Sequence, residues 1–286
     1  MIYSPRMSLF IVLMAGLLTE YAPPAPTVVA HSQFPITVEA GNYTLLGAYF
    51  PLSPGEYISY HSHGGPDLVT VLEGEVIEHE PGGDRTVKAG ESWVNQAGER
   101  HAVTNGDAKT HLWASALLPK GDTGITANVQ IPLNVKAGEY SLTSLVLDFA
   151  PGAGLPEQYH GGNALFYIVD GEITLVEKGA TRQLKTFDSW TEAPDAVYSV
   201  TNASGKNTRV AVGMLLPKDA EETTVVSSPT PPATQEVANS NVSTPTLPVS
   251  QDVPSSNSRI LPVLISVGLL LIVLAAGFYF RRRAKG

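Results

Sequence analysis

The chain has 286 residues, of which 43% are hydrophobic and 16% are charged, a globular composition that excludes a wholly disordered or collagen-like protein. Residues 31–259 carry 13 Lys and Arg against 26 Asp and Glu. Such an acidic body repels phosphate backbones, so we expect no nucleic-acid partner. The absence of cysteine excludes disulfide scaffolds, thiolate nucleophiles and iron–sulfur clusters. Any metal must therefore be held by histidine and carboxylate.

The first 30 residues are predicted to be a targeting segment. An apolar run from Met7 to Leu18 follows Arg6, and it is too short to span a bilayer but typical of a signal peptide. Cleavage after Ala30 is one interpretation, and an uncleaved N-terminal anchor is the other. Under both, most of the chain lies outside the cytoplasm.

The C-terminal part is predicted to anchor the protein in a membrane. Residues 260–280 contain no charge and, as a helix, would span about 30 Å, the thickness of the hydrocarbon core. The basic tail 281–286 follows directly, which by the positive-inside rule places it in the cytoplasm. Residues 220–259 are rich in Ser, Thr and Pro and are predicted to form a disordered stalk. We therefore expect a single-pass protein of the cell membrane with an extracytoplasmic ectodomain and the bilayer as partner of 260–280.

The body between these ends contains two copies of one unit. Shifting the sequence by 97 positions places residues 43–105 on 140–202 without a gap. The identical pairs include Pro54 with Pro151, His63 with His160, Gly74 with Gly171, Trp93 with Trp190 and Asn105 with Asn202. Each copy has short, partly alternating apolar runs joined by Glu-Gly or Asp-Gly, which favours tight hairpins. We predict an all-β body of two jelly-roll barrels at 31–125 and 126–219, with both tryptophans in the cores.

Two motifs of the first unit resemble those of the cupin superfamily. They are PGEYISYHSHGGPDLVTVLEG at 54–74 and AGESWVNQAGERHAVTN at 89–105. The family pattern joins His-x-His, an acidic residue and a glycine to a second motif with Gly, His and Asn. Because the unit is repeated, the region of about 35–218 is similar to a bicupin. The resemblance implies two double-stranded β-helix barrels and a metal site in the first.

The candidate metal ligands are His61, His63, Asp67 and His101. His61 and His63 are two residues apart on a predicted strand, so both imidazoles project from one face. With Asp67 and His101, this set suits one divalent transition metal, such as Mn, Fe, Co, Ni, Cu or Zn. Asp67 stands where the family usually has Glu and is one methylene shorter. Direct ligation, ligation through water and a three-histidine site therefore stay open as alternatives.

The second unit has lost this ligand set. The equivalent positions hold Gln158, His160, Ala164 and Tyr198. One imidazole and a neutral amide are weak ligands, so we predict that this unit binds no metal. It is then either a structural partner or an apolar ligand pocket lined by Tyr159, Phe166, Tyr167 or Tyr198.

Two classes of function remain for the first unit. The resemblance implies a metal-dependent, dioxygenase-like oxidoreductase acting on a small organic substrate, since quercetinase-like and oxalate-degrading proteins belong to the superfamily. Glu56 and Glu73 are conceivable bases, but no catalytic residue is assigned. The alternative is a non-catalytic surface receptor for a small molecule or a metal. A purely structural role is disfavoured by the retained ligands, and the sequence assigns no oligomeric state.

Overall fold

The computed structural model describes residues 23–226, and every regular element in that range is a β-strand. The predicted all-β fold is therefore confirmed. The strands are β1 (Thr27–Val38), β2 (Gly41–Leu52), β3 (Tyr57–His61), β4 (Asp67–Glu73), β5 (Glu75–Glu80), β6 (Gly83–Lys88), β7 (Ser92–Asn95), β8 (His101–Asn105), β9 (Thr110–Pro119), β10 (Val129–Val135), β11 (Gly138–Phe149), β12 (Gly154–Tyr159), β13 (Asn163–Asp170), β14 (Glu172–Glu177), β15 (Ala180–Lys185), β16 (Ser189–Glu192), β17 (Tyr198–Thr201), β18 (Thr208–Pro217) and β19 (Thr224–Val225).

Each barrel consists of two antiparallel sheets. In the first barrel the sheets have the strand orders β10-β2-β9-β4-β7 and β3-β8-β5-β6. In the second barrel the orders are β1-β11-β18-β13-β16 and β15-β14-β17-β12-β19. Apart from the extra strand β19, the second barrel repeats the first, as the offset of 97 residues predicts.

The two repeats exchange their first strands. β1 precedes the first repeat but pairs with β11, so that Ile36 lies opposite Tyr140 in the second barrel. β10 precedes the second repeat but pairs with β2, so that Leu133 lies opposite Tyr43 in the first barrel. The predicted ranges 31–125 and 126–219 therefore assign these two strands to the wrong barrel. Periodicity predicts a strand but not its partner, which explains the error.

The folded body also extends beyond both predicted boundaries. β1 begins at Thr27, and the Gly154 amide donates to the Pro24 carbonyl, so the predicted boundary after Ala30 falls inside a paired strand. At the other end, β19 pairs with β12 inside the range predicted as stalk. The rest of the stalk, the predicted span at 260–280 and the tail lie outside the described residues. Within residues 23–226, no helix is long and apolar enough to cross a membrane.

Within residues 23–226, the hydrophobic core has three parts, one inside each barrel and one between them. The part between the barrels joins side chains of both repeats, including Leu45, Trp113, Leu142 and Leu165. Packing there is so close that a Cβ atom at Gly47 would lie 2.3 Å from the Trp113 ring. The barrel interiors contain Trp93 and Trp190, which are 3% and 5% exposed, as predicted for core aromatics.

Candidate metal centre

Three histidines of the first barrel converge on one point. His61 ends β3 and lies opposite His101, the first residue of β8, while His63 follows in the turn after β3. Each histidine offers one ring nitrogen to the group, and these nitrogens all lie within 4.8 Å of one another. The predicted convergence of these three side chains is therefore present in the structure.

Backbone carbonyls set the orientation of two of these imidazoles. Nδ1 of His61 lies 2.8 Å from the Ser59 carbonyl oxygen, and Nδ1 of His101 lies 3.3 Å from the Glu99 carbonyl oxygen. Because a carbonyl can only accept, each Nδ1 carries the proton and donates it. This leaves Nε2 of each ring as the nitrogen that can bind a metal in the neutral form.

Burial favours the neutral form of two of these imidazoles, His63 and His101. It lowers the pKa of His63 to about 4, with the neighbouring His61 and His101 rings lowering it further. Burial, followed by proximity to His61, also lowers the pKa of His101. These rings are therefore neutral at pH 7 without a metal, so a cation does not have to displace protons from them.

Asp67, the fourth predicted ligand, is buried beside the cluster but is not part of it. Its carboxyl lies outside the group of ring nitrogens that approach within 4.8 Å. Oδ2 instead accepts a hydrogen bond from Asn95 Nδ2 at 3.0 Å across the β4–β7 pair, and Oδ1 has no partner within the described residues. Burial is the main cause that raises the pKa of Asp67 to about 7. Direct ligation by this short side chain stays a prediction.

The two bases considered from the sequence do not face the cluster. Glu56 accepts a hydrogen bond from the Ser53 amide in a turn, and Glu73 is largely exposed next to His111. Within the first barrel, the buried acid that sequence reasoning missed is Glu78, which is fully buried and paired with Arg85. Alternation along β5 could have revealed it, because Glu78 shares the inward face with Val76.

The cluster lies in the wall of a cavity of about 330 Å³. Its lining combines the three histidines and Asp67 with a mainly apolar surface that includes Phe50, Val69, Trp93 and Leu112. A cavity of this size with a few convergent polar groups is typical of a site for a small molecule.

In the second barrel, the equivalent groups are hydrogen-bonded to one another. His160 Nδ1 donates to the Glu222 carbonyl at 2.6 Å, so Nε2 is free to accept from the Tyr198 hydroxyl at 2.7 Å. The same hydroxyl oxygen accepts from Gln158 Nε2 at 2.9 Å. Ala164, at the place of Asp67, adds no donor atom. A metal could bind here only by breaking this chain of hydrogen bonds.

The aromatic residues proposed for an apolar pocket in the second unit do not share one surface. Phe166 and Tyr198 belong to the core of the second barrel. Tyr167 lies on the other face of β13 and stacks on Trp113 in the layer between the barrels. This division favours the structural interpretation of the second unit.

Comparison with known proteins also finds two repeated domains in the chain. A model of the cupin domain matches residues 48–115 and again residues 145–214. No curated protein matches the chain.

Solved structures of similar shape include three distant proteins. AerE from Microcystis aeruginosa is 11% identical, with a TM-score of 0.47 over 68% of this chain and 99% of its own. Oxalate decarboxylase from Lactobacillus farciminis is 13% identical, with a TM-score of 0.49 over 71% of this chain and 92% of its own. The Bacillus subtilis oxalate decarboxylase, whose structure concerns Mn(II) centres, is 12% identical, with a TM-score of 0.48 over 71% of this chain and 81% of its own. These similarities are too distant to transfer a metal or a substrate.

Proposed function

We propose a metal-dependent activity on a small organic molecule for this chain, which belongs to the cupin superfamily and carries two cupin domains in tandem. The observation that supports the proposal is the group of three converging imidazoles with their ring nitrogens within 4.8 Å of one another. Their position in the wall of a 330 Å³ cavity gives a small molecule room beside them.

The residues fit a divalent transition metal. Bonds of about 2.0–2.1 Å from imidazole nitrogens require only a small inward movement of three rings that already face one another. His61, His63 and His101 would hold the ion, and the carbonyls of Ser59 and Glu99 would keep two of the rings in the correct tautomer. Three protein ligands leave coordination positions open, where the metal would supply Lewis-acid or redox chemistry.

The other residues of the cavity would bind and orient the substrate. The apolar wall around Val69, Trp93 and Leu112 excludes water. Asp67 lines the cavity and its Oδ1 has no partner within the described residues, so this carboxyl is available to exchange a proton with a bound molecule. In this proposal Asp67 replaces Glu56 and Glu73 as the candidate acid or base. The reaction class we propose is a dioxygenase-like oxidation, for which the three histidines would hold the metal and the cavity would hold the substrate.

Metal analysis of the full-length chain, purified in detergent, tests the proposal. After separate reconstitution with Mn, Fe, Co, Ni, Cu or Zn, we expect one metal per chain. His61→Ala and His101→Ala should lose the metal while remaining folded. His79→Ala is the matched control, because His79 bonds to Thr104 and Asp84 away from the cluster. Retention of stoichiometric metal by both cluster variants would contradict the proposal.

A non-catalytic receptor is the second candidate function. The predicted stalk and membrane span favour it, because a diffusible substrate gives no reason for anchoring the protein. A receptor should bind its ligand without consuming it and keep some affinity in His61→Ala. An enzyme should lose turnover in both cluster variants. We also propose that the protein is displayed on the outer face of the cell membrane, which protease accessibility of intact cells would test.

A further inference from the structure

Both barrels have a tryptophan paired across two neighbouring strands, but the residue opposite this tryptophan is larger in the second barrel. In the second barrel Phe166 lies opposite Trp190 across the β13–β16 pair, and in the first barrel Val69 lies opposite Trp93 across the β4–β7 pair. These are equivalent positions at the offset of 97 residues. The first barrel therefore has an aliphatic side chain where the second has an aromatic ring.

Because Val69 has no ring, Trp93 lacks the stack that its counterpart Trp190 makes with Phe166. Phe166 stacks on Trp190 with ring centroids 4.3 Å apart and an interplanar angle of 4°. Trp93 instead lines the cavity, together with Val69 and Ala114. Ala114 is also smaller than its counterpart Val212, which pairs with Phe166 in the second barrel. The cavity thus includes the space that the Phe166 ring occupies in the other repeat.

A ring in that space would lie next to the metal ligands. The Phe166 centroid is 5.8 Å from the His160 ring and 5.5 Å from the Tyr198 ring. His160 and Tyr198 occupy the positions equivalent to His63 and His101. One oxygen substituent on a ring stacked on Trp93 would therefore reach toward the centre of the histidine cluster.

The charge of the cavity limits the ligand further. Its lining residues include Asp67 but, within the described part of the chain, no Lys or Arg. The proposed metal would be the one cation available to a small dicarboxylate there, because no side chain among the described lining residues could neutralise further negative charge and Asp67 is a buried acid. An uncharged ring meets the apolar wall without the cost of burying such charge.

We propose that the first barrel binds an uncharged aromatic ring, stacked on Trp93, with a hydroxyl or carbonyl oxygen directed at the three histidines. This inference rests on the proposed function and names its substrate class. Stacked aromatic pairs contribute about 0.5–1.5 kcal/mol beyond the area they bury, so the ring face should govern selectivity. Trp93 and Val69 are then residues that determine specificity.

Binding of catechol and oxalate to the full-length, metal-loaded chain tests this proposal. Catechol should bind at least tenfold more tightly than oxalate by calorimetry and should quench tryptophan fluorescence. Val69→Phe should weaken catechol binding at least tenfold with metal stoichiometry unchanged, because the new ring fills the space over Trp93. Val69→Ile should weaken catechol binding to an intermediate degree. This smaller substitution provides the test if Val69→Phe disturbs folding. Ile77→Phe adds a ring on the partly exposed outer face of the same barrel and is the matched control.

The outcomes separate this inference from the proposed function. If oxalate binds as tightly as catechol, or if Val69→Phe binds catechol like the wild type, the aromatic proposal is wrong even though the metal is present. If no metal binds, the proposed function fails. The ring site is then tested by catechol quenching in the chelator-treated chain, where sensitivity to Val69→Phe is still expected and its absence overturns the inference.

Discussion

Replacing Asp67 with Asn should stabilise the metal-free protein at neutral and alkaline pH. Asp67 is buried, and the only hydrogen bond to its carboxyl from another side chain comes from Asn95 within the described residues. Burial of the ionised carboxylate raises its pKa from 3.8 to about 7. Asparagine has nearly the same shape and can still accept a hydrogen bond from Asn95, but it cannot ionise. The substitution therefore isolates the cost of the buried charge.

The sign and size of the effect follow from the two pKa values. Between about pH 4 and pH 7 the folded protein holds a proton that the unfolded chain releases, so this group makes stability fall as the pH rises. A difference of about 3 pKa units at 1.36 kcal/mol each gives an upper bound of about 4 kcal/mol above pH 7. The stability gain of Asp67→Asn should thus be near zero at pH 4 and approach this bound at pH 8. His63, with its lowered pKa, contributes the opposite slope, but equally in both proteins.

Urea unfolding of both proteins with chelator present, from pH 4 to pH 8, measures this difference. A stability gain for Asp67→Asn that does not grow with pH would refute the assignment of a costly buried charge to Asp67. The same variant tests ligation. Because the structure leaves Asp67 outside the histidine group, we expect Asp67→Asn to keep one metal per chain. Loss of the metal in this variant would instead support direct ligation.

Three further variants test the two sites. A Cβ atom on Gly124 would lie 2.7 Å from His63 Nδ1, so Gly124→Ala should weaken metal binding about tenfold or more by competition titration, and unchanged affinity would contradict this. Tyr198→Phe removes the hydroxyl that joins Gln158 to His160 and should lower the free energy of unfolding, measured in urea, by about 1–3 kcal/mol. An unchanged free energy of unfolding would mean that these hydrogen bonds do not stabilise the protein. Gln158→His combined with Tyr198→His should raise the metal content from one to two per chain by elemental analysis, and a value that stays at one would show that three histidines do not suffice.

The sequence predicts the repeat, the barrels and the three histidines, because each can be recognised from the spacing of residue types along the chain. Strand alternation predicts that His61 and His63 share a face, although β3 ends at His61 and His63 lies beyond it. The equivalent positions of the two units show which one lost its ligands. Strand pairing between distant segments has no such local signal, which is why β1 and β10 were assigned to the wrong barrels. The environment of Asp67 also depends on Asn95, which the β4–β7 register brings opposite it. The sequence motif therefore identifies Asp67 as a candidate acid, but it does not identify Asn95 as its hydrogen-bond partner.

The two barrels differ in how their interiors are filled. The first has a cavity and buries the acids Asp67 and Glu78 with oxygens that lack partners within the described residues, and both features reduce stability. The second fills the equivalent space with Phe166 and with Leu175, which stands at the position of Glu78, although it also buries an acid, Glu192. Because β1 and β10 are exchanged and one apolar cluster joins both repeats, stability gained in the second barrel also supports the first. We therefore expect the second repeat to stabilise the barrel that contains the cavity, because one apolar cluster joins the two repeats.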